Sequence, residues 1–237
     1  MRFCSKCKKQ FEIQSNYVTC PDDGELLWFG TFKGRTIETR FVLEEELEKT
    51  ALGELYRAED LNTGKKVAVR VLSREFTSRV EPAALMELIE RHRLIETKNV
   101  SKVIASGAKP VPYIVSTYES GTPLLWLLNG NPLAEELLRK ISADLAEALL
   151  ELHELGAVHG ALSVRDISIS KDGGGEHSAY INNLGLADLV DPLGDEFEYL
   201  VRNPAYMSPE QFALEKNQPA TDVYSMAVCL FEALPGR

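Results

Sequence analysis

The sequence predicts an α+β chain in which a small antiparallel sheet precedes a mainly helical part. Strand-like segments rich in β-branched residues follow one another from Phe41 to about residue 119, and LNTGKKVAVRVL combines a hairpin turn with the most regular of them. One helical run, Pro82 to Ile95, interrupts them, and a last helix is expected from about Thr221 to Leu234. Between these helices, apolar side chains recur at three- and four-residue steps and predict one long buried helix: Leu138, Ile141, Leu145, Leu149 and Leu152.

Composition is typical of a globular protein and argues against several kinds of partner. Of the 237 residues, 44% are hydrophobic and 26% are charged, and the formal net charge is −10. An acidic chain repels nucleic acid and anionic membrane surfaces, so neither is an expected partner. No apolar run reaches the roughly 20 residues that a membrane span needs, and the N-terminus lacks the apolar core of a signal peptide. We therefore expect a cytoplasmic protein with reduced cysteines.

Residues 1–29 are typical of a small metal module. Cys4 and Cys7 form a CxxC pair, and Cys20 follows after twelve residues. Asp23 stands where a second cysteine of the later pair would lie, and a carboxylate oxygen can bind zinc at about 2.0–2.2 Å. The stretch resembles the short zinc-ribbon modules, written CxxC…CPxDG, that precede many bacterial regulatory domains. We predict a structural zinc ion on these four side chains; the alternative is a tail with three idle thiols.

Two assignments complete the front of the chain and the set of cysteines. Residues 30–40 are expected to form a linker, because glycines lie close together there and no apolar period is visible. Cys229 lies within the apolar stretch AVCLF and is assigned to the core rather than to a metal site.

Five motifs between Phe41 and Arg237 follow one another in a fixed order: VAVRVL, VHGALSVRD, INNLGLAD, NPAYMSPEQ and TDVYSMAVCLFEAL. They resemble the lysine strand, the catalytic loop, the DFG segment, the APE segment and the following long helix of bacterial Ser/Thr protein kinases. The resemblance implies a two-lobed protein kinase-like fold, with an N-lobe at residues 41–119 and a partial C-lobe at residues 120–237.

Residues that carry the chemistry of this family are replaced. Ala161 stands at the place of the catalytic aspartate, and a methyl group can neither accept nor orient a proton. Ser163 replaces the lysine that stabilises the transferring phosphate, and Gly160 replaces the arginine that reads a phosphorylated activation loop. The sequence therefore predicts a degenerate kinase homologue without catalytic residues, in which phosphotransfer is absent or very weak.

The nucleotide-binding positions implied by the resemblance are altered as well. Arg70 replaces the strand lysine, and Glu48 and Thr50 occupy the first two glycine places of the glycine-rich loop. Asp166 and Asn183 occupy the two metal-binding positions with the carboxylate and the amide exchanged, so the net charge of the ligands is unchanged. We expect ATP and Mg²⁺ to bind weakly or not at all, with these candidate residues: Gly53, Ala68, Arg70, Thr117, Asp166 and Asn183.

The function expected on this basis is that of a pseudokinase, a protein-interaction or allosteric module of a bacterial signalling system. One alternative is an unorthodox Ser/Thr kinase or nucleotidyl transferase that uses Arg70, Asp166 and Asn183 with ATP and a divalent metal. The other is a binding module driven by the zinc ribbon. Because the sequence stops at FEALPGR, where the family continues, we also expect an apolar face on the last helix that a protein partner or a second copy covers.

Overall fold

The computed structural model divides into two compact units. The first unit comprises Met1–Thr77 and Ala105–Tyr118, and the second comprises Ser78–Ile104 and Glu119–Arg237. The residues that the structure describes are 2–4, 6–7, 9–11, 19–24, 27–28, 32–50, 52–78, 80, 82–109, 111–128, 132–184 and 203–234.

A small antiparallel sheet of three strands lies at the N-terminus. Its strand order is β2-β1-β3, with β1 at Arg2–Cys4, β2 at Gln10–Phe11 and β3 at Leu27–Trp28. The buried side chains around it are Cys4 and Cys20, with Cys7 and Phe11 packed beside them. Among the described side chains of this segment, the cysteines thus form the buried centre.

A larger antiparallel sheet forms the rest of the first unit. Its order is β4-β5-β6-β7-β9-β8, and the short helix α1 (Arg74–Thr77) follows β7. Six consecutive residues of β7 are buried, as expected for a central strand covered on both faces. The strands are β4 (Thr36–Ile37), β5 (Phe41–Thr50), β6 (Gly53–Asp60), β7 (Lys65–Leu72), β8 (Val103–Gly107) and β9 (Tyr113–Thr117).

The segment predicted as a linker contains one strand of this sheet. Thr36 and Ile37 pair with Val42 and Phe41 of β5, and the side chain of Ile37 is buried. A two-residue strand has too little alternation for sequence periodicity to reveal it. The chain therefore enters the larger sheet before Phe41.

An ion pair between the buried Asp60 and the half-buried Arg40 fixes the turn that joins β6 to β7. Asp60 is 2% exposed and accepts hydrogen bonds from the Arg40 guanidinium at 2.8 Å, from the Asn62 backbone and from the Thr63 hydroxyl. The Arg40 contact, together with these other donors, holds the pKa of Asp60 well below its usual range. A lowered pKa means that the contribution to stability is fully present above the ordinary pKa of about 3.9 and is lost only as the pH falls below it.

Asp60→Asn is expected to destabilise the protein by about 1–3 kcal/mol at pH 7, because the buried side chain at this position loses the charge that binds the half-buried Arg40 guanidinium. Glu59→Gln is the matched control on the same strand, since Glu59 forms an exposed ion pair with Lys66. The control should cost less than about 1 kcal/mol. Chemical denaturation of both variants measures the difference, and equal effects would contradict a structural role for the Arg40–Asp60 pair.

The second unit is built around helix α4, Glu135–Glu154. The sequence expectation for its buried face is confirmed, because all five predicted leucine and isoleucine positions are buried. Asp144 is also buried on this helix; it accepts hydrogen bonds from Lys140 Nζ at 2.8 Å and from the Ala179 backbone at 3.0 Å. The other elements are α2 (Pro82–Arg93), β10 (Thr122–Pro123), α3 (Leu124–Leu128), β11 (Ile167–Lys171), β12 (His177–Ile181), a 3-10 turn (Pro204–Tyr206), α5 (Pro209–Phe212) and α6 (Pro219–Glu232).

Helix α6 begins two residues before the predicted start, because Pro219 occupies its first turn behind a capping box at Gln218. Several apolar side chains on and just beyond it are exposed: Val223, Tyr224, Phe231 and Leu234. These side chains form an exposed apolar face of the helix, and its cover by a protein partner or a second copy stays a prediction. Among the helices that the structure describes, none has both the length and the apolar character of a membrane span.

Candidate active site and cysteine cluster

The backbone of the loop that contains Ala161 is held by a buried carboxylate on α6. Asp222 is 0% exposed; it accepts hydrogen bonds from the backbone N–H groups of His159 and Gly160, both at 2.8 Å, and lies 2.9 Å from His153 Nε2. The ring of His159 in turn lies 2.8 Å from the carbonyl oxygen of Asn182. These contacts fix the loop to both α6 and the segment after β12.

Asp166 and Asn183 are in direct contact. Asn183 Nδ2 donates to Asp166 Oδ1 at 2.8 Å, and Asp166 Oδ2 accepts hydrogen bonds from the backbone and the hydroxyl of Ser163 at 3.0 and 2.7 Å. Both Asp166 and Asn183 are half-buried, and Asn183 has a left-handed φ of 63° that aims its amide at this carboxylate. Asp166 and Asn183, which the resemblance places at the metal-binding positions, thus form one carboxylate–amide pair.

The substituted positions of the loop have structural partners. Gly160 has a φ of 71°, which favours glycine, and its carbonyl oxygen accepts a hydrogen bond from Gln211 at 2.6 Å. The backbone N–H of Ala161 donates to His159 Nδ1 at 3.3 Å. Ser163, at the place of the family's lysine, is buried and orients Asp166 through the two hydrogen bonds described above. The loop therefore supports Asp166 rather than a side chain at position 161.

In the first unit, Arg70 lies on β7 with a carboxylate close to it. Its Nη2 is 3.1 Å from Glu48 Oε2, and its Nη1 is 3.5 Å from the hydroxyl of Thr50. The Arg70 side chain is 5% exposed and that of Glu48 is 20% exposed. The positively charged side chain that the sequence implies on this strand is thus present as Arg70, and its guanidinium is largely shielded from water.

The other nucleotide-binding candidates of the first unit lie on strands of the same sheet. Gly53 opens β6 with a φ of 138°, and a Cβ there would lie 2.0 Å from the carbonyl oxygen of Val71, so only glycine fits. Ala68 pairs with Ser116, and Thr117 pairs with Val67. The presence of Gly53 is accounted for by this close backbone approach alone, and its part in nucleotide binding stays a prediction.

Cys4, Cys7, Cys20 and Asp23 form one cluster, with their potential ligand atoms all within 4.8 Å of one another. The Cys4 sulfur lies 3.5 and 3.6 Å from the two carboxylate oxygens of Asp23, and the sulfurs of Cys7 and Cys20 lie 3.5 Å apart. Four ligands at the zinc–sulfur distance of about 2.3 Å would stand about 3.7 Å from one another in a tetrahedron. The donor set and its spacing therefore fit a tetrahedral ion.

The ionisable groups of this cluster perturb one another. Burial opposes the charged forms of Cys4 and Asp23, but hydrogen bonds from the Cys7 backbone to Cys4 and from the three thiols to Asp23 lower both pKa values. For Cys7, the Lys9 backbone favours the thiolate, yet burial and the neighbouring groups raise the pKa to about 12. A thiolate on one cysteine thus disfavours ionisation of the neighbouring thiols. A cation bound between them would offset this repulsion.

The candidate residues named from the sequence lie in these clusters and on the sheet of the first unit, but some of their contacts were not predicted. Sequence reasoning placed Asp166 and Asn183 at separate family positions, whereas the structure joins them. It placed Glu48 only at a glycine position of the loop, and the register of three strands was the signal that would have paired it with Arg70. The contact between the His153 ring and the Asp222 carboxylate was not predicted from the sequence.

The chain belongs to the protein tyrosine and serine/threonine kinase family, whose model matches residues 41–236. Membership implies the use of ATP with Mg²⁺. The fold agrees: the solved kinase domain of Mycobacterium tuberculosis PknI matches 87% of this chain with a TM-score of 0.64 and 17% sequence identity, and 78% of that domain is covered. The prediction of a protein kinase-like fold is thus confirmed.

Named relatives correct the functional prediction made from the sequence. The chain is 28% identical over 210 residues to the serine/threonine-protein kinase pkn2 of Myxococcus xanthus, with 85% of this chain and 25% of the relative covered. It is 30% identical over 220 residues to the serine/threonine-protein kinase PknA of Mycobacterium tuberculosis, with 86% and 48% covered. The chain thus spans between a quarter and about half of these relatives.

Both relatives carry the name of an enzyme, as does the family. On this finding, the prediction of a pseudokinase without enzymatic activity is wrong. The replacement of Ala161, Ser163 and Gly160 was taken as loss of the reaction, but a sequence motif reports only which side chains stand at the family's positions. The comparisons favour the alternative that keeps ATP and a divalent metal.

Proposed function

We propose that this chain is an ATP-dependent protein kinase in which Asp166 and Asn183 perform the work of the family's metal-binding and acid–base residues. The observation that carries the proposal is the 2.8 Å contact between Asn183 Nδ2 and Asp166 Oδ1 in a chain of kinase family membership. One carboxylate and one amide are retained at the two metal-binding positions, in exchanged order. The acceptor is a protein hydroxyl, as the names of the relatives suggest.

Mg²⁺, when bound, neutralises charge on the phosphates of ATP, and the oxygens of Asp166 and Asn183 would hold it. In the second role of Asp166, its carboxylate accepts the proton of the attacking hydroxyl while the γ-phosphoryl group moves to that oxygen and ADP leaves. Ser163 donates two hydrogen bonds to Oδ2 and Asn183 donates one to Oδ1, so the carboxylate is held in a fixed orientation with Oδ1 as its less occupied oxygen. Within the first unit, Arg70 stands at the place of the family's strand lysine and keeps a positive charge there for phosphate.

The substitution at Ala161 has a kinetic consequence. Positioned general acid–base catalysis contributes typically about 10² to 10⁴-fold, and protein kinases turn over at about 1–100 s⁻¹. With a displaced base, we expect turnover on the order of 10⁻⁴ to 1 s⁻¹. An assay for this protein therefore needs hours and enzyme at micromolar concentration.

The proposal is tested by incubating the protein with ATP, Mg²⁺ or Mn²⁺ and a mixed protein substrate, followed by mass spectrometry of phosphorylated residues. We expect phosphoserine and phosphothreonine that accumulate with time and with enzyme concentration. Arg70→Ala should lower the yield, whereas Arg93→Ala, which removes an exposed i,i+3 ion pair with Glu90, should not. Absence of time-dependent phosphorylation in the wild-type protein would overturn the proposal.

We also propose a structural zinc ion at Cys4, Cys7, Cys20 and Asp23, as the zinc-ribbon resemblance predicts. The geometry of the cluster supports it, and apparent binding free energies of about 10–16 kcal/mol for small zinc modules would supply the stability that this short segment lacks. The reduced thiols that such a site needs also support the cytoplasmic location expected from the sequence.

Zinc content is expected to be near one ion per chain in protein purified without chelator. Cys7→Ser should lose most of this zinc, because three ligands with one weak hydroxyl no longer close a tetrahedral site. Cys229→Ala is the matched control, since Cys229 is a free, buried cysteine of the second unit, and it should retain the ion. Elemental analysis by mass spectrometry measures all three proteins; equal metal content in the wild type and Cys7→Ser would contradict the site.

A further inference from the structure

We propose that Glu48 is a built-in competitor of nucleotide phosphate for Arg70, so that this one carboxylate sets the affinity of the chain for ATP. The inference rests on the proposed function only in taking ATP as the ligand. Nothing in the family's motifs provides for it, because the position of Glu48 is ordinarily a glycine that lets phosphate approach the backbone.

The register of the first unit's sheet explains why these two side chains meet. Glu48 of β5 stands opposite Leu55 of β6, and Leu55 stands opposite Arg70 of β7. Residues directly opposite one another in antiparallel strands project from the same face of a sheet. The side chains of Glu48 and Arg70 are long enough to reach over Leu55 from either side, and their charged ends meet at 3.1 Å.

Because the Arg70 side chain is buried, its contact with Glu48 is energetically important. The Arg70 side chain is 5% exposed, and a guanidinium so far from water needs an anion nearby. Glu48 provides that anion in the nucleotide-free chain, and the Thr50 hydroxyl lies 3.5 Å from the other terminal nitrogen of Arg70. These two contacts hold the Arg70 guanidinium in place on the sheet.

The contact between Glu48 and Arg70 also opposes the binding of nucleotide. A phosphate oxygen that approaches Arg70 must displace the Glu48 carboxylate or share the guanidinium with it, and the two anions repel each other at close range. Removing the carboxylate charge should therefore remove this repulsion between Glu48 and an approaching phosphate. Affinity for polyphosphate then rises, whichever nucleoside is attached to it.

Glu48→Gln and Glu45→Gln form the test pair. Both remove one negative charge from β5, but Glu45 contacts Arg57 in an exposed ion pair rather than Arg70. Calorimetric titration with Mg²⁺–ATP, and separately with inorganic tripolyphosphate, gives the dissociation constants. We expect Glu48→Gln to bind both ligands about tenfold more tightly than the wild type, and Glu45→Gln to stay within about twofold.

Glu48→Asp keeps the inference testable if the glutamine variant folds poorly. It preserves a counter-ion for Arg70 but shortens its reach, so polyphosphate should again bind more tightly than in the wild type. Unchanged or weaker binding in whichever of the two variants folds would overturn the competition between Glu48 and phosphate.

The failure of this inference is distinguishable from the failure of the proposed function. Tighter polyphosphate binding by Glu48→Gln without phosphorylated product from the wild-type protein would leave the role of Glu48 standing and remove the kinase activity. Phosphorylated product from the wild type with equal dissociation constants in all variants would do the reverse.

Discussion

Asp166→Asn is expected to lower phosphotransfer at least about 100-fold, because the variant keeps the shape of the side chain but removes its only proton-accepting charge and its strongest metal ligand. An asparagine at this position can still accept the hydrogen bonds from Ser163, so the fold should be retained. The measurement is the initial rate of phosphate incorporation, with the thermal melting curve recorded for the same preparation.

An exchange variant separates catalysis from structural support. The double variant Asp166→Asn with Asn183→Asp restores the family's order of amide and carboxylate while keeping one of each in the 2.8 Å contact. We expect it to recover metal-dependent transfer relative to Asp166→Asn alone, because a carboxylate again faces the metal position. Wild-type activity in Asp166→Asn would contradict the assignment, since a neutral amide cannot act as the base.

Asp222→Ala is expected to produce the largest loss of stability among single substitutions in the second unit. The side chain is 0% exposed. Its removal leaves the backbone N–H groups of His159 and Gly160 without their acceptor and takes the carboxylate away from the ring of His153. Leaving such groups unpaired costs about 3–5 kcal/mol. For a unit of this size, the melting temperature should fall by about 10 °C.

Asp172→Ala is the control for this substitution. Asp172 also accepts two backbone hydrogen bonds, from Gly174 and Glu176, but it does so in an exposed turn where water can replace it. We expect a cost below about 1 kcal/mol. Similar melting temperatures for the two variants would show that burial of the Asp222 carboxylate does not brace the loop.

Much of the architecture is predictable from sequence because it follows from periodicity. The apolar face of α4 and the β-branched residues of β7 follow regular periods that are visible in the sequence. Both elements lie where they were expected. The strand at Thr36–Ile37 escaped prediction because two residues show no period and its pairing with β5 is decided by tertiary contact. The start of α6 shifted because a proline at its first turn outweighs the apolar pattern.

The contacts of the candidate sites also differ in how well the sequence predicts them, for the same physical reason. The cysteine spacing alone located the cluster of Cys4, Cys7, Cys20 and Asp23, since short loops leave few ways to bring such residues together. The pairs Glu48–Arg70 and Asp166–Asn183 join residues more than 15 positions apart, and their contacts depend on sheet register and on one left-handed backbone residue. Motif comparison reports identity at a position, whereas function depends on which groups meet there.

The most direct test of the central claim is a pair of parallel incubations of the wild-type protein with ATP labelled on either the γ- or the α-phosphate, in the presence of Mg²⁺ and Mn²⁺. A kinase transfers the γ label to protein and leaves the α label in ADP, so we expect time-dependent incorporation from the first alone, lost in Asp166→Asn. Incorporation from the α label would indicate nucleotidyl transfer instead. No incorporation from either label, down to a turnover of about 10⁻⁴ s⁻¹, would contradict the assignment of this chain as an enzyme.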